Sequence, residues 1–183
     1  MAKRELLIGC GNRRDKLLYP PGEGAWENLT TLDLDPNSGA EVEHDLMRLP
    51  LPFDDETFDE IHAYHVLEHT GQMGDFRWFF AQWSDFWRML KPDGLFCGVV
   101  PAVTSPWLFA DPGHTRVIVS ETFTFLDQTE YTRQVGITAL ADYRHLYRAD
   151  FKPVFKEYRT SDDSTDQQFY FIMQAVKPSR ISV

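Results

Sequence analysis

Cysteine and long hydrophobic runs are both scarce in this chain. Its 183 residues include only two cysteines, Cys10 and Cys97, which give no pairing framework and no Cys-x-x-Cys spacing. That scarcity is typical of a reducing compartment. The longest mainly apolar run, residues 95–103, is far shorter than the roughly 18 residues that a membrane span needs. The apolar stretch near the N-terminus is too short for a signal peptide. We therefore expect a soluble, cytoplasmic protein without a membrane partner.

Positive charge is also in short supply. Lys and Arg total 18 against 28 Asp and Glu, which gives a formal net charge of −10. Phosphate backbones are bound by clustered Lys and Arg, so a nucleic-acid partner is unlikely, although a nucleotide-sized ligand is still compatible. The hydrophobic fraction of 43% and the charged fraction of 25% are those of an ordinary globular protein. The length suits one domain spanning residues 1–183.

Short apolar segments bounded by turn residues predict strands. They lie at residues 6–8, 29–34, 41–44, 58–64, 95–100, 151–159 and 169–176. Residues 13–28 contain Pro20, Pro21 and Gly22, so any helix there must be short. Strands that alternate with helices predict a parallel, doubly wound α/β sheet.

The clearest helix covers residues 76–90. Its apolar residues recur at helical spacing, with Asp75 as a plausible N-cap and Pro92-Asp93-Gly94 as its end. We interpret this aromatic stripe as core packing rather than as a platform for stacking bases. Further helices are predicted near 120–127 and 137–147 within the segment 103–150.

The loop after the first strand is the natural ligand site, because open α/β sheets bind ligands beyond the carboxyl ends of their strands. Gly9 and Gly11 remove side chains that would block a ligand, although a plain tight turn explains them about as well. Asp33, at the end of the second strand, can accept hydrogen bonds from both hydroxyls of a ribose.

Six segments then occur in a fixed order: 6–12 (LLIGCGN), 32–36 (LDLDP), 44–46 (HDL), 51–61 (LPFDDETFDEI), 65–69 (HVLEH) and 90–94 (LKPDG). Together they resemble class I S-adenosylmethionine-dependent methyltransferases of the type 11 kind. The resemblance implies a Rossmann-like, doubly wound, mostly parallel seven-stranded sheet with a C-terminal antiparallel hairpin. It also implies a methyltransferase enzyme whose cofactor is S-adenosyl-L-methionine.

The resemblance assigns the residues of a cofactor site. It puts Gly9, Cys10 and Gly11 against the methionine part of the cofactor. Asp33 falls at the position that binds the ribose, and Leu34 lies beside it.

The remaining cofactor positions come from later segments of the resemblance. Asp45 matches the residue that accepts a hydrogen bond from the adenine amino group, and the Leu46 backbone lies beside the adenine edge. His65, just past the fourth strand, falls at the mouth of the methyl-transfer pocket.

The segment 111–116 (DPGHTR) resembles one found near the active-site opening of some relatives. His114 is therefore a candidate catalytic base, as is His65, because a nucleophile would need a proton acceptor near neutral pH. A loop histidine fixed by Asp111 is an equally good interpretation. We predict that residues 103–150 form an insertion and lid between the fifth and sixth strands. Its predicted contributions to the acceptor pocket are Trp107, Phe109, His114 and Tyr143.

The string His65-Val-Leu-Glu68-His69 also matches the H-x-x-E-H pattern of zinc peptidases. That pattern needs a helix with both histidines on one face and a third ligand downstream. Because a strand ends near Tyr64 and glycines follow soon after, the prediction is that no metal binds here.

The favoured function is methyl transfer to a small-molecule or peptide-like oxygen or nitrogen nucleophile. One alternative is a catalytically silent scaffold subunit of the same fold, since Leu7 and Arg13 replace an acid and a third glycine usual in the family. A less favoured alternative is an NAD-dependent oxidoreductase, which lacks support because no long helix follows the glycines to hold a pyrophosphate. The oligomeric state is unknown from the sequence.

Overall fold

A seven-stranded sheet organises the chain in the computed structural model, which describes residues 2–18, 24–160 and 166–181. The strand order is 3-2-1-4-5-7-6, and the seventh strand runs antiparallel to both of its neighbours while the others are parallel. The predicted fold class is therefore confirmed. The strands are Glu5–Ile8 (β1), Leu29–Asp33 (β2), Val42–Glu43 (β3), Phe58–Tyr64 (β4), Leu90–Pro101 (β5), Phe151–Thr160 (β6) and Gln167–Ala175 (β7).

The strand order reverses between β1 and β4, which is where sheets of this kind form a crevice for ligands. β1 and β4 are parallel neighbours, with Ile8 opposite Ala63. The residues that follow both strands therefore emerge together at the carboxyl edge. Gly9 and His65 are brought to one place in this way.

The predicted aromatic helix forms as Phe76–Met89 (α1), and the Asp75 side chain caps it by accepting a hydrogen bond from the Trp78 N–H at 3.0 Å. One face of α1 packs on the sheet, with the Trp83 and Phe86 rings 4.9 and 4.8 Å from the Phe96 ring. The helix passes directly into β5 at Leu90. The predicted stop, residues 92–94, lies inside β5 where its register with β4 shifts.

The connection between β5 and β6 differs from its prediction. It contains the helices Trp107–Ala110 (α2) and Gln128–Gln134 (α3) and a 3₁₀ helix at Ser120–Phe125. The predicted helix at 137–147 is wrong: its second half is one turn closed by the Leu146 and Tyr147 N–H groups on the Tyr143 carbonyl. The Tyr143 and Tyr147 rings both lie 5.0 Å from the Phe80 ring of α1. These two tyrosines are thus held by packing on α1 and not by a helix of their own.

The other face of the sheet is covered, near β1 and β4, by irregular chain at residues 13–18 and 24–28, with no helix in those described stretches. The predicted breakers Pro20, Pro21 and Gly22 lie outside the described residues. Lys16 fastens this segment to the sheet: its buried ammonium lies 2.5 Å from Glu5 Oε1 and 2.9 Å from Glu60 Oε2. Burial disfavours the charged ammonium, but the hydrogen bonds to Glu5 and Glu60 prevail and raise the pKa of Lys16.

This buried polar cluster should make stability depend on pH. Burial lowers the pKa of His62 from its ordinary 6.5. The pKa of Glu60 lies well below its ordinary 4.5, because hydrogen bonds from His62, Lys16 and Lys3 outweigh the effect of burial. As the pH falls below 6.5, His62 is therefore protonated more readily in the unfolded chain than in the folded chain. Below pH 4.5 the same is true of Glu60.

We thus expect the free energy of unfolding to fall in two stages as the pH drops from about 8 to about 3. Urea denaturation across that range measures it. The His62→Gln variant should lose the upper stage and keep the lower one. A profile that is flat in the wild type, or identical in the variant, would contradict this account.

Cys10 and Cys97 are both buried and neither forms a disulfide. None of the helices in the described parts of the chain combines the length and apolarity of a membrane span.

Candidate active site

The turn after β1 depends on two glycines in the left-handed region, Gly9 with φ of 60° and Gly11 with φ of 49°. A Cβ on Gly9 would lie 2.2 Å from the Val66 side chain, whereas a Cβ on Gly11 would meet no atom within 4 Å. Gly9 is therefore required by packing within the protein. Gly11 is the glycine that keeps space open at the turn.

The two glycines offer a matched pair of variants. Gly9→Ala should lower the free energy of unfolding by about 1–3 kcal/mol, because overpacking against Val66 adds to the unfavourable φ. Gly11→Ala carries only the backbone cost, about 1 kcal/mol. Thermal or urea denaturation compares them. Equal losses in both variants would show that the Val66 contact is not what requires Gly9.

Asp33 braces this turn from the end of β2. Its Oδ2 atom accepts a hydrogen bond from the Gly11 N–H at 2.7 Å, and its Oδ1 accepts one from the Asp35 N–H at 2.8 Å. The carboxylate is half-buried. Each oxygen has a further lone pair, so the group can still accept hydrogen bonds from a ligand.

A cavity of about 380 Å³ lies against the turn. It gathers four predicted site residues, Gly9, Cys10, Gly11 and His65. Burial raises the pKa of the Cys10 thiol, which favours its protonated form. Its volume is within the range of small-molecule sites. The open space beside Gly11 leaves room at the turn for the methionine end of S-adenosylmethionine. The other lining residues are Leu7, Asn12, Arg13, Asp15, Leu17 and Tyr64.

The remaining predicted cofactor residues do not line this cavity. Asp33 reaches it through its hydrogen bond to Gly11. Asp45 is half-buried, and its Oδ1 accepts a hydrogen bond from the Met47 N–H. The Leu34 side chain is exposed, and the Leu46 side chain is part of the hydrophobic core. Their roles toward ribose and adenine stay predictions.

His65 stands between this cavity and a second one. Its backbone is left-handed, with φ of 53°, and its N–H donates a hydrogen bond to the Val99 carbonyl at 2.8 Å. Such a conformation is uncommon for a residue other than glycine and is found mainly at functional sites. The His65 side chain lines both cavities.

The second cavity has a volume of about 270 Å³ and lies between the end of β4 and the segment that follows β5. It includes the predicted residues Trp107 and His114, whereas Phe109 is 77% exposed outside it and Tyr143 packs on α1. The predicted lid is thus divided: part of 103–116 lines the cavity, and much of 117–150 packs into the core. The other lining residues are His65, Glu68, His69, Pro101, Asp111, Asp166 and Gln168.

Several of these lining residues were not among the predicted site residues. Glu68 and His69 belong to the H-x-x-E-H string, so the signal was present, but it was assigned no chemistry. Asp166 and Gln168 reach the cavity from the start of β7. Nothing in their local sequence indicates this, because it depends on β7 returning antiparallel beside β5.

Comparison with known proteins agrees with this geometry. A family model described as a methyltransferase domain matches residues 6–98, just over half of the chain. The chain belongs to that methyltransferase family. It is a class I S-adenosylmethionine-dependent methyltransferase, and the expected cofactor, S-adenosylmethionine, is the one that the family uses. No protein of curated function matches the sequence.

Solved structures share the methyltransferase fold at low sequence identity. A SAM-dependent methyltransferase from Archaeoglobus fulgidus has a TM-score of 0.58 and 17% identity, over 94% of this chain and 86% of that one. The N-methyltransferase NodS from Bradyrhizobium japonicum has a TM-score of 0.58 and 16% identity, over 96% and 87%. NodS in complex with S-adenosyl-L-homocysteine has a TM-score of 0.55 and 18% identity, over 95% and 78%.

Proposed function

We propose that this methyltransferase transfers its methyl group to an oxygen or nitrogen of a small-molecule or peptide-like acceptor bound in the second cavity. The observation that carries the proposal is that His65 lines both cavities, so the two spaces adjoin at one side chain. A volume of about 270 Å³ suits a small molecule or one side chain of a peptide. The net charge of −10 disfavours nucleic acid as the acceptor.

When bound, S-adenosylmethionine supplies an electrophilic methyl carbon attached to a positively charged sulfur. The chain's own contribution is mainly positioning, which can supply a large part of such an acceleration. The turn Gly9–Gly11 and Asp33 hold the first cavity in shape. The hydrogen bond from the His65 N–H to Val99 fixes the residue at the boundary between donor and acceptor.

His65 and His114 are the candidate groups for accepting a proton from the nucleophile. The His114 side chain is 8% exposed, and its Nδ1 lies 3.1 Å from the Leu108 carbonyl. Since a carbonyl only accepts, Nδ1 carries the hydrogen in the neutral ring and Nε2 has the lone pair. His114 Nε2 lies 3.8 Å from Asp111 Oδ2, which is beyond hydrogen-bond distance, so Asp111 does not occupy this nitrogen and it is available for chemistry in the acceptor cavity.

His114→Ala should lower methyl turnover while leaving the affinity for S-adenosylhomocysteine within about twofold, because His114 lines only the acceptor cavity. Calorimetry gives the affinity and release of S-adenosylhomocysteine gives the turnover. His145→Ala, on the connection to β6 and outside the lining of both cavities, is the control. Parallel losses of affinity and turnover would place His114 in the cofactor site instead.

The test of the proposed function is a screen for transfer of a radiolabelled methyl group from S-adenosylmethionine. Small alcohols, amines, carboxylates and short peptides are supplied as acceptors. We expect acceptor-dependent formation of S-adenosylhomocysteine that is reduced in the Asp33→Ala variant when the cofactor concentration is limiting. A protein that binds the cofactor tightly yet methylates no class of acceptor would favour the silent scaffold.

A further inference from the structure

The Glu68 carboxylate is buried beside the acceptor cavity without a hydrogen-bond partner. Its side chain is 1% exposed, and no described residue donates a hydrogen bond to either oxygen. The nearest group that can carry a positive charge is His65, whose Nδ1 lies 3.6 Å from Oε1, beyond hydrogen-bond distance. An unpaired buried carboxylate is costly, and structures that retain one generally supply a cation.

Two histidines lie beside this carboxylate. One ligand atom each from Glu68, His69 and His114 fall within 4.8 Å of one another. Ligands about 2.0–2.2 Å from one ion are about 3–4 Å apart, so small side-chain movements would bring all three onto a metal. We propose that Glu68, His69 and His114 bind one divalent transition-metal ion in the wall of the acceptor cavity.

Backbone carbonyls orient both histidines. His69 Nδ1 lies 3.2 Å from the Gly113 carbonyl, and His114 Nδ1 lies 3.1 Å from the Leu108 carbonyl. Each neutral ring therefore carries its hydrogen on Nδ1 and leaves the Nε2 lone pair for a ligand bond. Such carbonyl partners are the usual second support of metal-binding histidines.

The loop that carries His114 is fastened to the Glu68 turn. The Thr115 and Arg116 N–H groups donate hydrogen bonds to the Glu68 carbonyl at 2.9 and 3.1 Å. The buried Arg116 guanidinium donates to the carbonyls of Thr70 and Gln72, so its charge is used there and does not pair with the Glu68 carboxylate. The donor atoms thus come from two segments that hydrogen bonds hold in register.

A second cluster in the same protein contains buried carboxylates that are paired with a cation. Glu5, Glu60 and His62 also place their ligand atoms within 4.8 Å of one another. There, however, the Lys16 ammonium contacts both carboxylates, so a cation is already built into the chain. At Glu68 no such side chain is present among the described residues. Because only the Glu68 carboxylate of these three lacks a cation from the described part of the chain, an external ion is expected at Glu68 and not at the second cluster.

The proposed ligands differ from those of the H-x-x-E-H pattern, for which the sequence predicted no metal. His65 and His69 do not share a helix, since His65 directly follows β4 and a short 3₁₀ helix spans Leu67–His69. The third ligand, His114, comes from a loop 45 positions after His69 in the sequence. The set is therefore one carboxylate and two histidines, with His65 outside it.

Two histidines and one carboxylate suit Mn²⁺, Fe²⁺, Co²⁺ or Zn²⁺, with the remaining positions open to the cavity. An ion there could bind an acceptor oxygen or nitrogen and make it easier to deprotonate. With His114 as a ligand, His65 is the group left to take up the proton. This role in catalysis rests on the proposed function, whereas binding of the ion does not.

The test uses tag-free protein stripped with EDTA and titrated with Mn²⁺, Co²⁺ or Zn²⁺ alone, without cofactor or acceptor. We expect one equivalent to bind, a rise in melting temperature, and visible absorption bands with Co²⁺. Glu68→Gln and His114→Ala should each weaken binding by about 100-fold or more. Metal-free Glu68→Gln should also be at least as stable as the wild type, because it removes an unpaired buried charge.

His65→Asn is the matched control, because asparagine tolerates a left-handed backbone and the residue is outside the proposed ligand set. It should bind the ion as the wild type does. Absence of stoichiometric binding in the wild type, or unchanged binding in Glu68→Gln, would overturn the proposal. Loss in His65→Asn with retention in His114→Ala would overturn the ligand set. Because no step of this assay involves methyl transfer, failure of the proposed function would leave its result intact.

Discussion

Lys16→Met is expected to lower the free energy of unfolding by about 3–5 kcal/mol. The substitution leaves Glu5 and Glu60 buried side by side, and removal of one partner from a buried ion pair strands the remaining charges. Lys16 also lies over the Trp26 ring, 5.1 Å from its centroid, and that contact is lost as well. Chemical denaturation at neutral pH measures the effect.

Lys3→Met is the matched control. Lys3 also pairs with Glu60, at 2.9 Å, but its side chain is 32% exposed and solvent screens the pair. A loss of about 0–1 kcal/mol is expected there. If Lys16→Met lowered the free energy of unfolding no more than Lys3→Met does, the buried cluster would not be what attaches residues 13–18 to the sheet.

Asp33→Ala is expected to weaken binding of S-adenosylhomocysteine by about 10–100-fold. Hydrogen bonds to a charged group contribute about 1.5–3 kcal/mol, and the variant also removes the brace on the Gly11 N–H. Asp33→Asn retains an acceptor oxygen for the turn and should lose less affinity. Calorimetry on variants whose folding has been checked by circular dichroism separates these effects. An unchanged dissociation constant in folded Asp33→Ala would show that the ribose binds elsewhere.

The sequence predicted those strands and helices that have a clear apolar pattern of their own. Six strands and α1 lie within two residues of their predicted bounds, because their apolar patterns reflect the surfaces that they bury. β5 begins at Leu90, five residues before its predicted start. The turn at Gly9–Gly11 was also predicted. The local pattern could not show that Gly9 makes room for the Val66 side chain. Gly9 follows β1 and Val66 lies just beyond the end of β4, so the contact depends on the pairing of these two strands.

The contacts of the buried charged groups were not predicted, because they also depend on residues that are distant in the sequence. Lys16 lies in a segment without periodicity, and its role depends on Glu5 standing opposite Glu60 in the register of β1 and β4. The approach of His114 to Glu68 likewise depends on hydrogen bonds between distant backbones. The helix predicted at 137–147 is wrong because this segment is irregular chain whose Tyr143 and Tyr147 side chains pack on α1.

Calorimetric titration of the tag-free protein with S-adenosylhomocysteine, S-adenosylmethionine and NAD⁺ tests which cofactor it binds. We expect one site for each of the first two ligands, weakened by Asp33→Ala and retained in His114→Ala, and no comparable binding of NAD⁺. Tight binding of NAD⁺ by a folded protein that binds neither S-adenosyl compound would contradict this expectation.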